Sequence, residues 1–139
     1  MNMTTFDFED GNGPVPAHKH PKGGGWVADT ATVDETAYVG AEARVFDYAK
    51  VFDYAKVYDN AWVFGNAWVS GNARVYGNAK VYGDAWVYGD AEVSGNARVS
   101  GDARVYDNAQ VYYNVKDFDT SEDIFIEMNG KRYKLVEVE

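Results

Sequence analysis

His18 and His20, in the stretch "AHKHPKGGG", are the only imidazoles in the chain. Imidazole is the side chain best suited to general base work near neutral pH, and it is a frequent zinc ligand. In an extended segment these two side chains point the same way. Two ligands are too few for a metal clip without a third from elsewhere or from a symmetry mate. We therefore read the stretch as a solvated loop beside Pro21, with no metal and no cofactor. Gly23, Gly24 and Gly25 follow without the Lys and Ser/Thr of a phosphate-cradling loop, and read as a flexible join. There is no cysteine, hence no disulfide frame and no thiolate chemistry, and the redox compartment stays open.

From Val27 to Lys116 the chain is governed by a repeat. Valine recurs every six residues from Val27 to Val111, giving fifteen hexads with no insertion. The fifth residue of a hexad is alanine in fourteen of them, from Ala31 to Ala109, and Val115 in the last. The third and fourth places are mostly Gly or Asp followed by Asn or Asp. Ala-x-Val-x is the in-out-in-out alternation of a strand. Gly-Asn or Gly-Asp then supplies a two-residue corner that tolerates positive φ. A meander of such strands would leave a single-layer sheet with one uncovered Val/Ala face. A tube encloses the same residues on all sides. A triangular coil needs three corners, hence eighteen residues, and the fifteen hexads make five coils over residues 27–116. Coils about 4.8 Å apart would span about 24 Å. The inward valines, at about 1.5–3 kcal/mol each, are the main favourable contribution.

The pattern Val-x-Gly-Asn-Ala-x resembles the hexapeptide repeat of left-handed parallel β-helix proteins. That resemblance covers about two thirds of the chain. It implies an all-β fold of left-handed coils, against the usual right-handed crossover, and it implies a trimer. The lead-in "FEDGNGPVPAHKHPKGGGWVADTA" further resembles small hexapeptide-repeat proteins encoded by phages and prophages. Many members of the family are acyltransferases with a coil histidine as base, and another branch binds zinc through three coil histidines. No histidine lies between residues 27 and 116, so neither site is complete here. No loop interrupts the hexads where such enzymes build an acyl-donor pocket. Catalytic residues are accordingly expected to be none. An ice-binding threonine ladder fails too, because Thr30, Thr32 and Thr36 do not repeat.

Net charge is -9, which argues against phosphate neutralisation and hence against direct nucleic-acid binding. Acidic corner columns suggest mimicry of nucleic acid, but interleaved Lys and Arg spoil a single-sign surface. The opening MNMTTFDFED has neither the basic start nor the apolar segment of a signal peptide. No run approaches the length of a membrane span. The expected location is the cytoplasm, that of a host cell if the gene is a phage's. Residues 1–26 read as a leader and N-terminal cap, and 27–116 as the β-helix. Residues 117–139 read as a C-terminal hairpin, either a cap or an oligomerisation element. In "DIFIEMNGKRYKLVEVE", Asn129-Gly130 is a strong hairpin signal. It sets Ile126 opposite Tyr133, Ile124 opposite Leu135 and Glu127 opposite Arg132.

The outside of the tube holds what remains. All eight Lys and Arg of the coils occupy the sixth place of a hexad, and ten of the twelve acids lie at corners. Stacking by eighteen yields three faces. The first shows Trp26, Arg44, Phe46, Trp62, Phe64, Lys80, Tyr82 and Arg98. The second shows Lys50, Phe52, Trp68, Trp86, Tyr88, Arg104 and Tyr106. The third shows Tyr38, Lys56, Tyr58, Arg74, Tyr76 and Tyr112. One role for these rings is to stack up the ladder and carry cation–π contacts. A monomer, however, seldom exposes so much contiguous apolar surface, and Trp, Tyr, Phe and Arg are enriched in interfaces. The expected interface is the first face, through Phe46, Trp62, Phe64 and Tyr82 flanked by Arg44, Lys80 and Arg98. Trp68, Trp86 and Tyr88 of the second face are its rival. The function expected is a non-catalytic oligomeric binding or inhibitory protein. It would sequester a host protein, or a small anionic ligand such as a nucleotide held between subunits. Two alternatives stay open: a hexapeptide-repeat acyltransferase with a non-standard base, and a purely structural β-helix.

Overall fold

The computed structural model describes residues 4–112, 114–116, 124–128 and 131–135. Among them there are strands and turns and no helix. From Trp26 onward the chain winds through parallel coils of eighteen residues, a β-solenoid of about five turns. Each hexad contributes one two- or three-residue strand made of its valine and the residue before it. Successive strands along the chain fall into three different sheets. Lys80 pairs with Trp62 above and Arg98 below, and Val81 with Val63 and Val99. The other two faces show the same register, with Trp68 on Trp86 and Arg74 on Lys56.

The alternation read from the hexad is realised inside the tube. The valines from Val27 to Val111 at the first place and the alanines from Ala31 to Ala109 at the fifth are buried except Val33 and Ala109, which are partly buried. Outward N–H groups of one coil donate to carbonyls of the next, as in Trp62 N to Ala79 O (3.0 Å), Phe64 N to Val81 O (3.0 Å) and Asn66 N to Gly83 O (2.8 Å). The coils are therefore joined by hydrogen bonds on their faces and also at their corners.

The corners explain the third residue. It takes positive φ in eleven consecutive hexads, from Asp47 to Asp107. Glycine fills seven of these places because the coils approach closely there. A Cβ on Gly83 would lie 2.9 Å from Gly101 N. Aspartate is the other residue used, and it gives something in return. Oδ2 of Asp47, Asp53 and Asp59 accepts from the N–H of Gly65, Gly71 and Gly77 at 3.1, 3.0 and 3.2 Å. A short acceptor side chain thus satisfies a backbone donor that glycine above it would leave to solvent.

Two departures from the sequence reading lie at the ends. The first coil turns without positive φ, and Thr36 Oγ1 donates across to Asp53 O at 2.5 Å. The last hexad does not complete an eighteen-residue turn. Val115 pairs with Val99, and Lys116 with Ser100, an offset of sixteen. The expected coil through residue 116 is therefore two residues short, and Asn114 Oδ1 accepts from Arg98 N (3.1 Å) at the closing edge. Beyond it, Ile124–Met128 and Lys131–Leu135 pair antiparallel with Ile126 opposite Tyr133, Ile124 opposite Leu135 and Glu127 opposite Arg132. The Asn129-Gly130 turn lies outside the described residues.

Ala97 is fully buried, while its neighbour Arg98 is exposed. Ala97→Leu overfills the tube and costs about 1–3 kcal/mol or more. Arg98→Leu changes stability by no more than about 0.5 kcal/mol. Urea unfolding of the two variants checks this, and equal losses would overturn the inside-outside assignment.

Candidate functional site

The leader is built into the fold rather than draped on it. Strands β1 (Thr5–Asp7) and β2 (Pro14–Lys19) form a hairpin, and β2 pairs antiparallel with β3 (Trp26–Ala28), so the first face continues upward by two strands. Asp7 Oδ1 accepts from Glu9 N (2.8 Å) and Asp10 Oδ1 from Asn12 N (3.1 Å), which shapes the turn between them. Phe6 and Phe8 alternate along one strand, and Val15 and Ala17 along the other. With Ala28 and Phe46 they make a second apolar cluster outside the tube. The alternation "F-x-F", a turn-rich "EDGNGP" and "V-x-A" was the sequence signal for this hairpin, and the hexad reading passed over it.

The histidines separate. His18 is half exposed and its Nδ1 lies 2.7 Å from Asp29 Oδ1. His20 is buried, and its Nε2–H donates to Ala37 O at 2.7 Å. The solvated-loop reading is thus corrected: β2 places His18 in a strand, and His20 plugs the top of the third face. The glycines are corrected as well. Gly25 N donates to Val39 O (2.9 Å), and a Cβ on Gly23 or Gly25 would meet coil carbonyls at 2.2 Å. They are glycine because backbone lies directly against backbone. Among the described residues no group of three or more His, Cys, Asp or Glu side chains gathers to hold a metal.

Each face shows the residues expected of it, as ladders. On the first face Phe8, Phe46, Phe64 and Tyr82 stack in sequence with centroids 4.8–4.9 Å apart. Beside them Trp62 lies between two cations, Arg44 at 5.0 Å and Lys80 at 4.6 Å. Arg44 also covers Phe6 (5.2 Å) and donates to Phe8 O and Glu9 Oε1, each at 3.2 Å. Phe46 is only 2% exposed. The upper end of the expected stripe is therefore already covered by the chain's own leader. Trp62, Phe64, Lys80 and Tyr82 are half-buried and Arg98 is exposed.

The second face is less complete. Lys50 lies over Trp68 (5.3 Å) and Arg104 over Trp86 (4.8 Å), and the two indoles meet at 5.6 Å. Tyr88 stacks on Tyr106 at 5.1 Å, while Phe52 stands edge-on to Trp68. Between Phe52 and Tyr88 the ring column is broken by Ser70. The missing ring leaves a hollow of about 290 Å³ lined by Trp68, Ser70, Trp86 and Tyr88. Trp86 is 40% exposed.

On the third face Tyr58 stacks on Tyr76 at 5.0 Å, and Tyr76 Oη donates to Glu92 Oε2 at 3.3 Å. At the corner between the second and third faces lies a polar hollow of about 470 Å³, reached by Lys22, Lys56 and Arg74. A third hollow, of about 360 Å³, lies between the leader hairpin and the first corner, with Phe8 and Phe46 in its wall and Asp10, Asp29 and Asp47 at its rim.

Comparison with known proteins bears on the repeat. The family model of the YdcK beta solenoid repeat matches residues 55–71, 68–83, 73–89, 91–107 and 97–113. These overlapping stretches run from the second coil into the fifth and support a β-solenoid repeat family. No curated protein and no solved structure matches the chain significantly.

Burial raises the Tyr58 hydroxyl above the ordinary tyrosine value, and Tyr76, Asp59 and Glu92 push the same way against Arg74. The folded state thus holds this proton more tightly than the unfolded chain does. The stability it contributes is intact below about pH 10 and is lost as pH rises through the raised value. Thermal unfolding of Tyr58→Phe loses less stability between neutral and strongly alkaline pH than the wild type does. Parallel curves for the two proteins would overturn this.

Proposed function

We propose that this protein is a non-catalytic binding protein that acts as a homo-oligomer, joined through its second face. The carrying observation is the hollow at Ser70, where Trp68, Trp86 and Tyr88 surround a ring-sized gap in an otherwise regular ladder. Pockets walled by Trp and Tyr are where interfaces concentrate their binding energy. A ring from a second copy of this chain fits that gap in size and chemistry. The first face is the poorer candidate, because the leader covers Phe46 and Arg44 is engaged with Phe6, Phe8 and Glu9. The likeness to hexapeptide-repeat proteins supports left-handed coils and a trimer. The likeness of the lead-in to phage-encoded members supports a role in occupying a component of a host cell's cytoplasm.

A second reading rests on a different observation. His18 Nδ1 on Asp29 is the arrangement that orients an imidazole and leaves Nε2 to take a proton. An acyltransferase with its base in the leader would use that pair.

Sedimentation tests the first reading. The wild type should sediment as an oligomer, and Trp86→Glu with Tyr88→Glu as a monomer of unchanged circular dichroism. A monomeric wild type removes the oligomer, and a mutant that stays assembled moves the interface to another face. Incubation with acetyl-CoA and a panel of amine and hydroxyl acceptors tests the second reading. No turnover is expected, and turnover abolished by His18→Ala would replace the binding reading with acyl transfer.

A further inference from the structure

We propose that the hollow at the corner between the second and third faces binds a phosphorylated small molecule bearing a planar ring, that is, a nucleotide. This deepens the binding reading above, rests on it for the protein's role, and needs only one chain for the site.

Three cations meet there from distant parts of the sequence. Lys22 comes from the leader, where its Nζ donates to Thr36 O at 3.2 Å. Lys56 and Arg74 come from the second and third coils and stand directly opposite one another in the third sheet. Like charges opposed in this way repel. The same opposition occurs on the first face between Lys80 and Arg98, where Lys80 lies over the Trp62 indole; Lys50 and Arg104 also lie over indoles, and Arg44 has both an indole and Glu9. Lys56 and Arg74 are exposed and, among the described residues, form neither an ion pair nor a cation–π contact. Glu92 stands opposite Arg74 one coil below and also accepts from the Tyr76 hydroxyl, whereas Lys56 stands between Tyr38 and Arg74 with no acid opposite it. An anion bridging Lys56 and Arg74 relieves the repulsion. Phosphate suits it, because the guanidinium fork binds two phosphate oxygens at once while the two ammonium groups add charge.

The rest of the hollow fits a nucleotide better than a bare anion. Tyr54, 63% exposed, stands at the rim one coil above Arg74 and offers a ring face for stacking. Tyr48, about as exposed on the neighbouring corner, is followed by Lys50, which lies over Trp68 instead. Asn72 and Asp90 line the lower end, joined at 3.4 Å, and Asp90 can accept from a sugar hydroxyl there. The hollow's volume accommodates a ligand of that size.

Isothermal titration of the full chain with ADP, with inorganic pyrophosphate and with adenosine tests the proposal. ADP should bind most tightly, pyrophosphate more weakly and adenosine not measurably, with ADP affinity falling as salt is raised. Lys56→Ala with Arg74→Ala should lower affinity for ADP and pyrophosphate about ten-fold or more. Both positions are exposed, and an unchanged melting temperature confirms that the double variant folds. Tyr54→Ala should weaken ADP and leave pyrophosphate unchanged. No heat from ADP or pyrophosphate at millimolar concentration, or equal binding by the double variant, overturns the site. ADP binding no tighter than pyrophosphate overturns the ring platform. ADP bound by the Trp86→Glu, Tyr88→Glu monomer upholds the groove whatever happens to the oligomer. An assembled wild type that ignores ADP overturns the groove alone.

Discussion

The eighteen-residue register between stacked coils is the constraint on which the whole molecule depends. Within a coil the recurring backbone hydrogen bond is the corner's, from alanine N–H to the carbonyl three residues back, as in Ala67 N to Phe64 O. The coil's outward N–H groups are satisfied by carbonyls seventeen residues further on, at faces and corners alike. The same register sets valine over valine and alanine over alanine inside. A slip of one residue would turn every buried valine outward. Strict spacing is therefore the condition for having a core at all. The closing strand shows the same rule from the other side: when the offset falls to sixteen, Val115 still meets Val99.

That register also acts on the outside. Whatever occupies a place in one coil stands over the corresponding residue of the next, so the surface is organised as columns. Columns of rings stack, and cations in the neighbouring column settle over indoles. Most of the aromatic content is consumed this way, in stabilising the solenoid. The candidate functional features are the places where a column breaks its own rule. Ser70 omits a ring and leaves a hollow. Lys56 and Arg74 put cation on cation beside a hollow that Lys22 also lines. In a periodic structure an interruption is the feature that lateral packing does not explain.

The leader decides which interruptions stay open. Its hairpin adds strands to the first face and buries Phe46 beneath Phe8. Its glycine turn lies against the third face through Val39, where it brings Lys22 to Thr36. A segment without hexads thus covers the exposed parallel edge of the first coil, closes one candidate interface and completes one candidate site.

The hexad alone determined a great deal. Its period fixed the coil length, the inward set of Val and Ala, and the membership of all three faces. The corner residues announced positive φ, and the alternation around Asn129-Gly130 set the hairpin pairing. These are short-range facts repeated many times, so each hexad confirms its neighbours. The tertiary structure alone decided the fates of His18 and His20, the burial of Phe46, the meeting of Lys22 with Lys56 and Arg74, and the short final turn. Each of these happens once, between segments far apart in the chain. Each depends on a surface that exists only after the coils have stacked, so no local pattern in the sequence could encode it.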